Sequence, residues 1–113
     1  MSTLVRAFPL KQPVEELESF VKSLRSERKE GAANFYRGYG VSKETWHIQE
    51  TPMGPWVICV TVIDNVIESA ERYAKSTGDF DIWFKESVRS LSEVNPDEQP
   101  LGPPTREIFA WPE

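Results

Sequence analysis

The sequence predicts an α+β sandwich in which helices cover one face of an antiparallel sheet. Three observations support this fold: an alternating apolar stretch at residues 3–10, two extended runs joined by a turn at residues 44–64, and amphipathic helical stretches after each. The 113 residues fit one domain, 1–113, with a modest core. The 12% aromatic content argues against disorder, because it supplies apolar surface that offsets the entropy cost of folding.

A strand and a helix come first. The strand covers residues 3–10 and ends near Pro9, because proline cannot donate to a sheet ladder. The helix starts at Pro13 and has an apolar stripe at helical spacing, formed by Leu17, Phe20, Val21 and Leu24. Gly31 is a candidate break in this helix, residues 32–36 can add a turn or two, and Gly38 and Gly40 end it.

A hairpin follows. Its first strand starts at Glu44, and the residues "TPMGP" at 51–55 are a strong turn signal. The next run, "WVICVTVI" at 56–63, is dense in β-branched residues, so it predicts the most secure strand of the chain.

Two more helices and a last strand complete the pattern. Asp64 is expected to cap a helix with an apolar stripe at Val66, Ile67, Ala70, Tyr73 and Ala74. After the interruption "STGD", Asp79 or Asp81 caps a third helix, which carries Phe80, Phe84, Val88 and Leu91 and ends at Asn95 and Pro96. A proline-rich connector, "NPDEQPLGPPT", then leads to a last strand at residues 106–111.

The resulting order, β-α-β-β-α-(α)-β, is that of a ferredoxin-like α+β sandwich. A four-stranded sheet with helices on one side leaves its other face bare. That face would expose a large apolar area unless a second copy of the chain covers it.

Composition excludes several classes of protein. A net charge of −5 argues against nucleic-acid binding, because phosphates are bound through Lys and Arg. A single cysteine, Cys59, excludes an internal disulfide and a multi-thiolate zinc site, and a cytoplasmic location is the default. The start of the chain lacks a signal-peptide pattern, and no run approaches the ~20 apolar residues that cross a membrane. We expect no membrane partner, no metal and no cofactor.

Two stretches carry a family resemblance. In "GYGVSKETWHIQE" a short Gly-Val element leads into a strand, and in "YAKSTGDFDIWFKESV" one helix ends and another with aromatic and acidic residues begins. Both resemble an uncharacterised small family of unknown function in the dimeric α/β-barrel superfamily. The resemblance implies ferredoxin-like subunits that form a homodimer sheet to sheet. It implies no reaction, because members include cofactor-free monooxygenases, haem-handling enzymes, isomerases and proteins without known activity.

His47, the only histidine, is the candidate catalytic residue. A hairpin turn centred on Met53 predicts that His47 lies opposite Cys59, on a semi-polar face shared with Thr45, Gln49 and Thr61. The other face, with Trp46, Ile48, Trp56, Ile58 and Val60, would then pack on the helices. On this hypothesis His47 lines a pocket as acid or base, with Gln49 and Arg6 as orienting donors. Histidine as a polar filler between sheets is the commoner alternative, and haem ligation is a narrower one.

The remaining candidate residues have structural alternatives. Cys59 is a candidate ligand contact, although a buried thiol in such a strand is usually inert. Tyr36 can form a pocket rim or join the core. Trp83 can seal a cavity or an interface, with Phe84 in the core. Asp79 and Asp81 fit helix caps and first-turn charges better than a metal site.

Two functions follow from these expectations. In the first, a homodimeric barrel binds a small, partly apolar molecule and acts on it without a cofactor, with His47 as acid or base. In the second, the homodimer is a non-catalytic accessory or ligand-sensing module.

Overall fold

The structure is a computed structural model that describes residues 1–94 and 103–112. Within these ranges the protein is α+β, with three strands and four helices. In chain order they are β1 (Ser2–Pro9), α1 (Val14–Arg25), α2 (Lys29–Gly38), β2 (Val41–Thr51), β3 (Gly54–Ile63), α3 (Val66–Lys75) and α4 (Asp79–Ser92). None of the helices in these ranges has the length and apolar character needed to cross a membrane.

The strands form one antiparallel sheet in the order β1-β3-β2. Its central strand is β3, the run rich in β-branched residues, and every second residue from Val57 to Ile63 is buried. Val57 and Cys59 share one core with residues of all four helices. The helices therefore cover one face of the sheet, as predicted for an α+β sandwich.

The register of the hairpin differs from the prediction by one residue. His47 lies opposite Ile58, and Cys59 lies opposite Trp46, so the predicted pairing of His47 with Cys59 is wrong. Thr51 explains the shift, because its hydroxyl donates to the carbonyl of Gly54 (2.7 Å) and accepts from the amide of Met53 (3.1 Å). This closes a two-residue turn whose centre precedes Met53.

A one-residue shift moves every side chain of a strand to the opposite face. Trp46 and Ile48 lie on the helix-covered face as predicted, but Cys59 and Thr61 share it with them. The prediction that Trp56, Ile58 and Val60 pack on the helices is wrong. The other face, which we call the open sheet face, carries Thr3, Val5, Ala7, Thr45, His47, Gln49, Trp56, Ile58, Val60 and Val62. The helix-covered face is more polar than expected, and the open sheet face is more apolar.

The first helical region breaks earlier than predicted. Residues 26–28 form a turn between α1 and α2, and Gly31 lies inside α2. The Ser26 hydroxyl donates to the Lys22 carbonyl (2.7 Å), which occupies one of the last acceptors of α1. Gly31 instead permits close packing of helices, since a Cβ atom there would lie 2.6 Å from Cδ2 of Phe80.

Two predicted caps are also displaced. Asn65, not Asp64, caps α3, and its side chain accepts from the amide of Glu68 (2.9 Å). Gly78 precedes α4, which leaves Asp79 and Asp81 as first-turn charges. The C-cap of α4 is Glu93 in the left-handed region (φ 61°), whereas the predicted end at residues 95–96 lies outside the described residues.

The last predicted strand, residues 106–111, is not a strand. The chain touches the outer edge of β1 only briefly, through a bridge between Arg6 and Pro104 and a hydrogen bond from the amide of Thr105 to the Val5 carbonyl (2.8 Å). Residues 106–112 then leave the sheet edge and are exposed.

Aromatic rings make up most of the core, with Phe84 of α4 at its centre. The Phe84 ring centroid lies 4.7 Å from that of Phe35 and 5.5 Å from that of Phe20. Trp46 and Tyr73 meet it edge to face at 6.5 and 6.4 Å. Such ring pairs add roughly 0.5–1.5 kcal/mol each beyond area burial, and through them Phe84 links α4 to the other three helices and to β2.

We expect Phe84→Ala to lower the free energy of unfolding by about 3–5 kcal/mol, because it leaves a cavity among several rings. Urea denaturation measures the loss. The matched control is Ile67→Ala on α3, where the side chain is 74% exposed; we expect a change of about 0.5 kcal/mol there. Equal losses in the two variants would contradict this description of the core.

Candidate functional site

A network of polar side chains lies between the sheet and the helices. The Thr61 hydroxyl, 1% exposed, donates to Oε1 of Glu44 at 2.7 Å. Nη2 of Arg6 approaches the same hydroxyl at 3.4 Å. The three residues come from three different strands, so the network ties β1, β3 and β2 together on the helix-covered face.

Two aromatic residues complete the network around Glu44. Nε1 of Trp46 donates to Oε2 of Glu44 at 3.1 Å, and the Tyr36 hydroxyl forms a side-chain hydrogen bond with the same carboxylate. Burial raises the pKa of Tyr36 well above its usual range, and the negative charge of Glu44 adds to the shift. Tyr36 is therefore a neutral donor, and its contacts place it in the core rather than on a pocket rim.

Cys59 and Arg6 are neighbours across the β1–β3 ladder. Burial raises the pKa of the Cys59 thiol, the charge of Glu44 raises it further, and Arg6 opposes both. The pKa of Arg6 is lowered, chiefly by burial, while Glu44 opposes that shift. A thiol kept protonated in this way is a poor nucleophile, because the thiolate is the reactive form.

An open groove of about 400 Å³ runs between α1 and β2. Its volume is within the usual range for small-molecule sites. Apolar side chains of both elements line it, namely Leu17, Val21, Trp46 and Ile48. Polar groups also line it, namely Glu18, Lys22, Arg25, Ser26 and His47. Trp46 belongs to both sites, because its ring lines the groove and its indole nitrogen binds Glu44 of the buried network.

The predicted site residues lie on two different faces of the sheet. Arg6, Tyr36 and Cys59 lie on the helix side, whereas His47 and Gln49 lie on the open sheet face. His47 is exposed, and its Nε2 lies 3.0 Å from the Thr45 hydroxyl. Arg6 and His47 therefore do not converge on one site within a subunit, although His47 does border the groove.

Trp83 lies apart from both groups. Its ring is 5.3 Å from that of Phe20 and 5.5 Å from that of Phe80, and the guanidinium of Arg28 lies 4.5 Å above it. This arrangement closes the contact between α1, the start of α2 and α4. Trp83 therefore packs between these elements, with a cation–π contact from Arg28 over its ring.

Sequence reasoning missed Glu44, Thr61 and the basic side of the groove. Glu18, Lys22 and Arg25 are spaced four and three residues apart, so they form one line along α1 beside its apolar stripe. That spacing was a detectable signal. The position of these residues beside β2 could not be predicted from the sequence, because it depends on contacts between residues that are distant in the chain.

No known protein family, curated protein or solved structure matches the chain. Over residues 1–94 and 103–112, no three His, Cys, Asp or Glu residues cluster as a metal site would require. The geometry of the two sites is therefore the basis for any functional assignment.

The buried thiol and phenol predict how stability depends on pH. Cys59 and Tyr36 have raised pKa values in the folded protein, so the unfolded chain loses these protons first as the pH rises. Their stabilising contribution is complete below the thiol pKa of the unfolded chain, about 8.5, and is lost progressively above it. We expect the free energy of unfolding, measured by urea denaturation, to fall above about pH 9, by roughly 1.4 kcal/mol per pH unit for each such group.

The variant Cys59→Ala isolates the part due to the thiol. It should show a shallower decline than the parent protein between about pH 9 and pH 10, where tyrosine in the unfolded chain is still mostly protonated. Parallel curves for parent and variant would show that the thiol does not contribute.

Proposed function

We propose that the protein is a homodimer of ferredoxin-like subunits, a dimeric α/β barrel, that binds a small, partly apolar molecule in the groove between α1 and β2. The strand order β1-β3-β2 is that of the first three strands of a ferredoxin-like sheet. The contact of Pro104 and Thr105 with β1 lies on the side where the fourth strand would add. A cytoplasmic location fits the single, buried and unpaired cysteine.

The open sheet face supports the homodimer. All three strands contribute to it, and its central strand presents Trp56, Ile58, Val60 and Val62, which are half-buried and lie outside the core formed with the described helices. Val5 on the neighbouring strand is 37% exposed. A contiguous apolar face of this kind is typical of an interface. A second copy brings an identical face, so sheet-to-sheet packing buries both at once.

The groove carries the proposed binding function. Trp46, Leu17 and Val21 offer an apolar surface that suits a ring or a short hydrocarbon group. The polar side of the groove carries two positive side chains, Lys22 and Arg25, and one negative side chain, Glu18, although the whole chain has a net charge of −5. A local excess of positive charge on an acidic protein favours a ligand that carries a carboxylate or similar anion.

His47 is the residue we propose for acid–base chemistry if the bound molecule is transformed without a cofactor. The alternative is a non-catalytic accessory or ligand-sensing module, and one observation favours it: the ring of His47 is exposed and satisfied by Thr45. His47→Ala distinguishes the two functions. If the protein is an enzyme, the variant loses turnover of the substrate. If the protein is a non-catalytic module, the variant keeps the ligand affinity of the parent.

The dimer is tested by a charge placed on the open sheet face. We expect the parent protein to sediment as a dimer and Val60→Glu to sediment as a monomer, because a desolvated carboxylate would oppose its own copy across the interface. Ile67→Glu on the exposed side of α3 is the matched control and should remain dimeric. Analytical ultracentrifugation over a range of concentrations measures both, and circular dichroism shows that each variant is folded.

The groove is tested with 2-naphthoate and its neutral amide as probes, followed by ligand-observed NMR. We expect the carboxylate to bind several-fold more tightly than the amide, with an affinity that falls as salt rises. Lys22→Glu should remove the preference for the carboxylate, and Lys75→Glu, on α3 and away from the groove, should retain it. Equal affinities for the two probes in the parent protein would rule out an anion-selective groove.

A further inference from the structure

We infer that the segment of residues 106–112 packs on the open sheet face of a second copy, so that two subunits exchange these segments. We call residues 106–112 the arm. The inference rests on the proposed homodimer and adds a segment that crosses between its subunits.

The arm carries apolar side chains that are exposed against the described part of its own subunit. Ile108, Phe109 and Trp111 are 84%, 76% and 84% exposed. Among the described residues, the hydrogen bond from the amide of Thr105 to the Val5 carbonyl is the last connection before the arm. Three large apolar side chains within four residues favour burial, because each fully buried one contributes about 1.5–3 kcal/mol.

Its own sheet is too short to hold the arm. The bridge between Arg6 and Pro104 is antiparallel, so a continued ladder would place Ile108 opposite Ser2. Ser2 pairs with Ile63, the last residue of β3, and the sheet ends there. Phe109, Ala110 and Trp111 would therefore extend past the sheet without an apolar surface beneath them.

The side-chain pattern of the arm suits a segment covered on both sides. In an extended chain, Ile108 and Ala110 point to one side, and Phe109 and Trp111 point to the other. Strands that read as apolar on both faces are typically buried on both. The rim of the sheet-to-sheet interface provides two such surfaces, one from each subunit, whereas a single subunit provides only one.

The surface area that the arms would bury favours a second copy of the chain over a different protein as the partner. Phe and Trp bury roughly 150–250 Å² each, so two exchanged arms add on the order of 1,000 Å² to the buried surface. Stable specific interfaces bury about 1,200–2,000 Å² in total. Arm exchange together with sheet contact would thus reach that class, and the symmetry of a dimer uses both arms and both open sheet faces.

Paramagnetic relaxation between chains tests the exchange directly. A nitroxide is attached to Ala110→Cys in a Cys59→Ala background, and this chain is mixed with ¹⁵N-labelled chains that carry no spin label. We expect selective broadening of amides on the open sheet face of the ¹⁵N chain. A nitroxide on Lys75→Cys in α3, on the helix side of the sheet, is the control and should broaden none of them. If broadening appears only in chains that carry both the nitroxide and the ¹⁵N label, the inference is wrong. It is also wrong if no broadening appears.

A double substitution separates the arm from the dimer itself. We expect Phe109→Ser with Trp111→Ser to raise the dimer dissociation constant at least tenfold, whereas Ile67→Ser leaves it unchanged. If the double variant dimerises normally while Val60→Glu is monomeric, the homodimer stands and arm exchange fails. If the parent protein is a monomer at all concentrations, both proposals fail.

Discussion

The pairing of Trp46 with Cys59 across the β2–β3 ladder determines what each face of the sheet can do. Because side chains alternate along a strand, this single pair places Glu44, Trp46 and Ile48 on the helix side and Thr45, His47 and Gln49 on the open side. The two-residue turn held by Thr51 sets the pairing. The core, the buried network, the groove and the open sheet face all depend on it.

The buried network and the aromatic core depend on each other through Trp46. Its ring packs against Phe8, Phe20 and Phe84, while its nitrogen donates to Glu44. A half-buried carboxylate at this position is stabilised by donors, because withdrawing a charge from water without hydrogen bonds is costly. Thr61, Trp46 and Tyr36 supply them. The indole is therefore held by contacts on two sides, and its ring forms part of the floor of the groove.

Local patterns were sufficient to predict the first strand, the central strand and three helices, the first of which the structure divides into α1 and α2. They could not locate the centre of the turn within "TPMGP", and a shift of half a residue in that centre exchanged the predicted faces of β3 relative to those of β2. The break between α1 and α2 followed a Ser26 hydrogen bond rather than Gly31, whose role is a close contact with Phe80. Arg6, Tyr36 and Cys59 were identified as candidates individually. Their association through Glu44 and Thr61 depends on register and on helix packing, which pattern alone does not contain.

The separation of the two faces constrains how this protein can combine assembly with binding. The open sheet face is apolar and spans all three strands, whereas the groove lies between the edge strand β2 and α1. His47 lies where the two meet, because it belongs to the open sheet face and also borders the groove. A partner on the open sheet face would therefore change the surroundings of His47 without occluding the apolar floor formed by Leu17, Val21 and Trp46. In this arrangement dimerisation can affect the groove through one residue, and the subunit core remains unchanged.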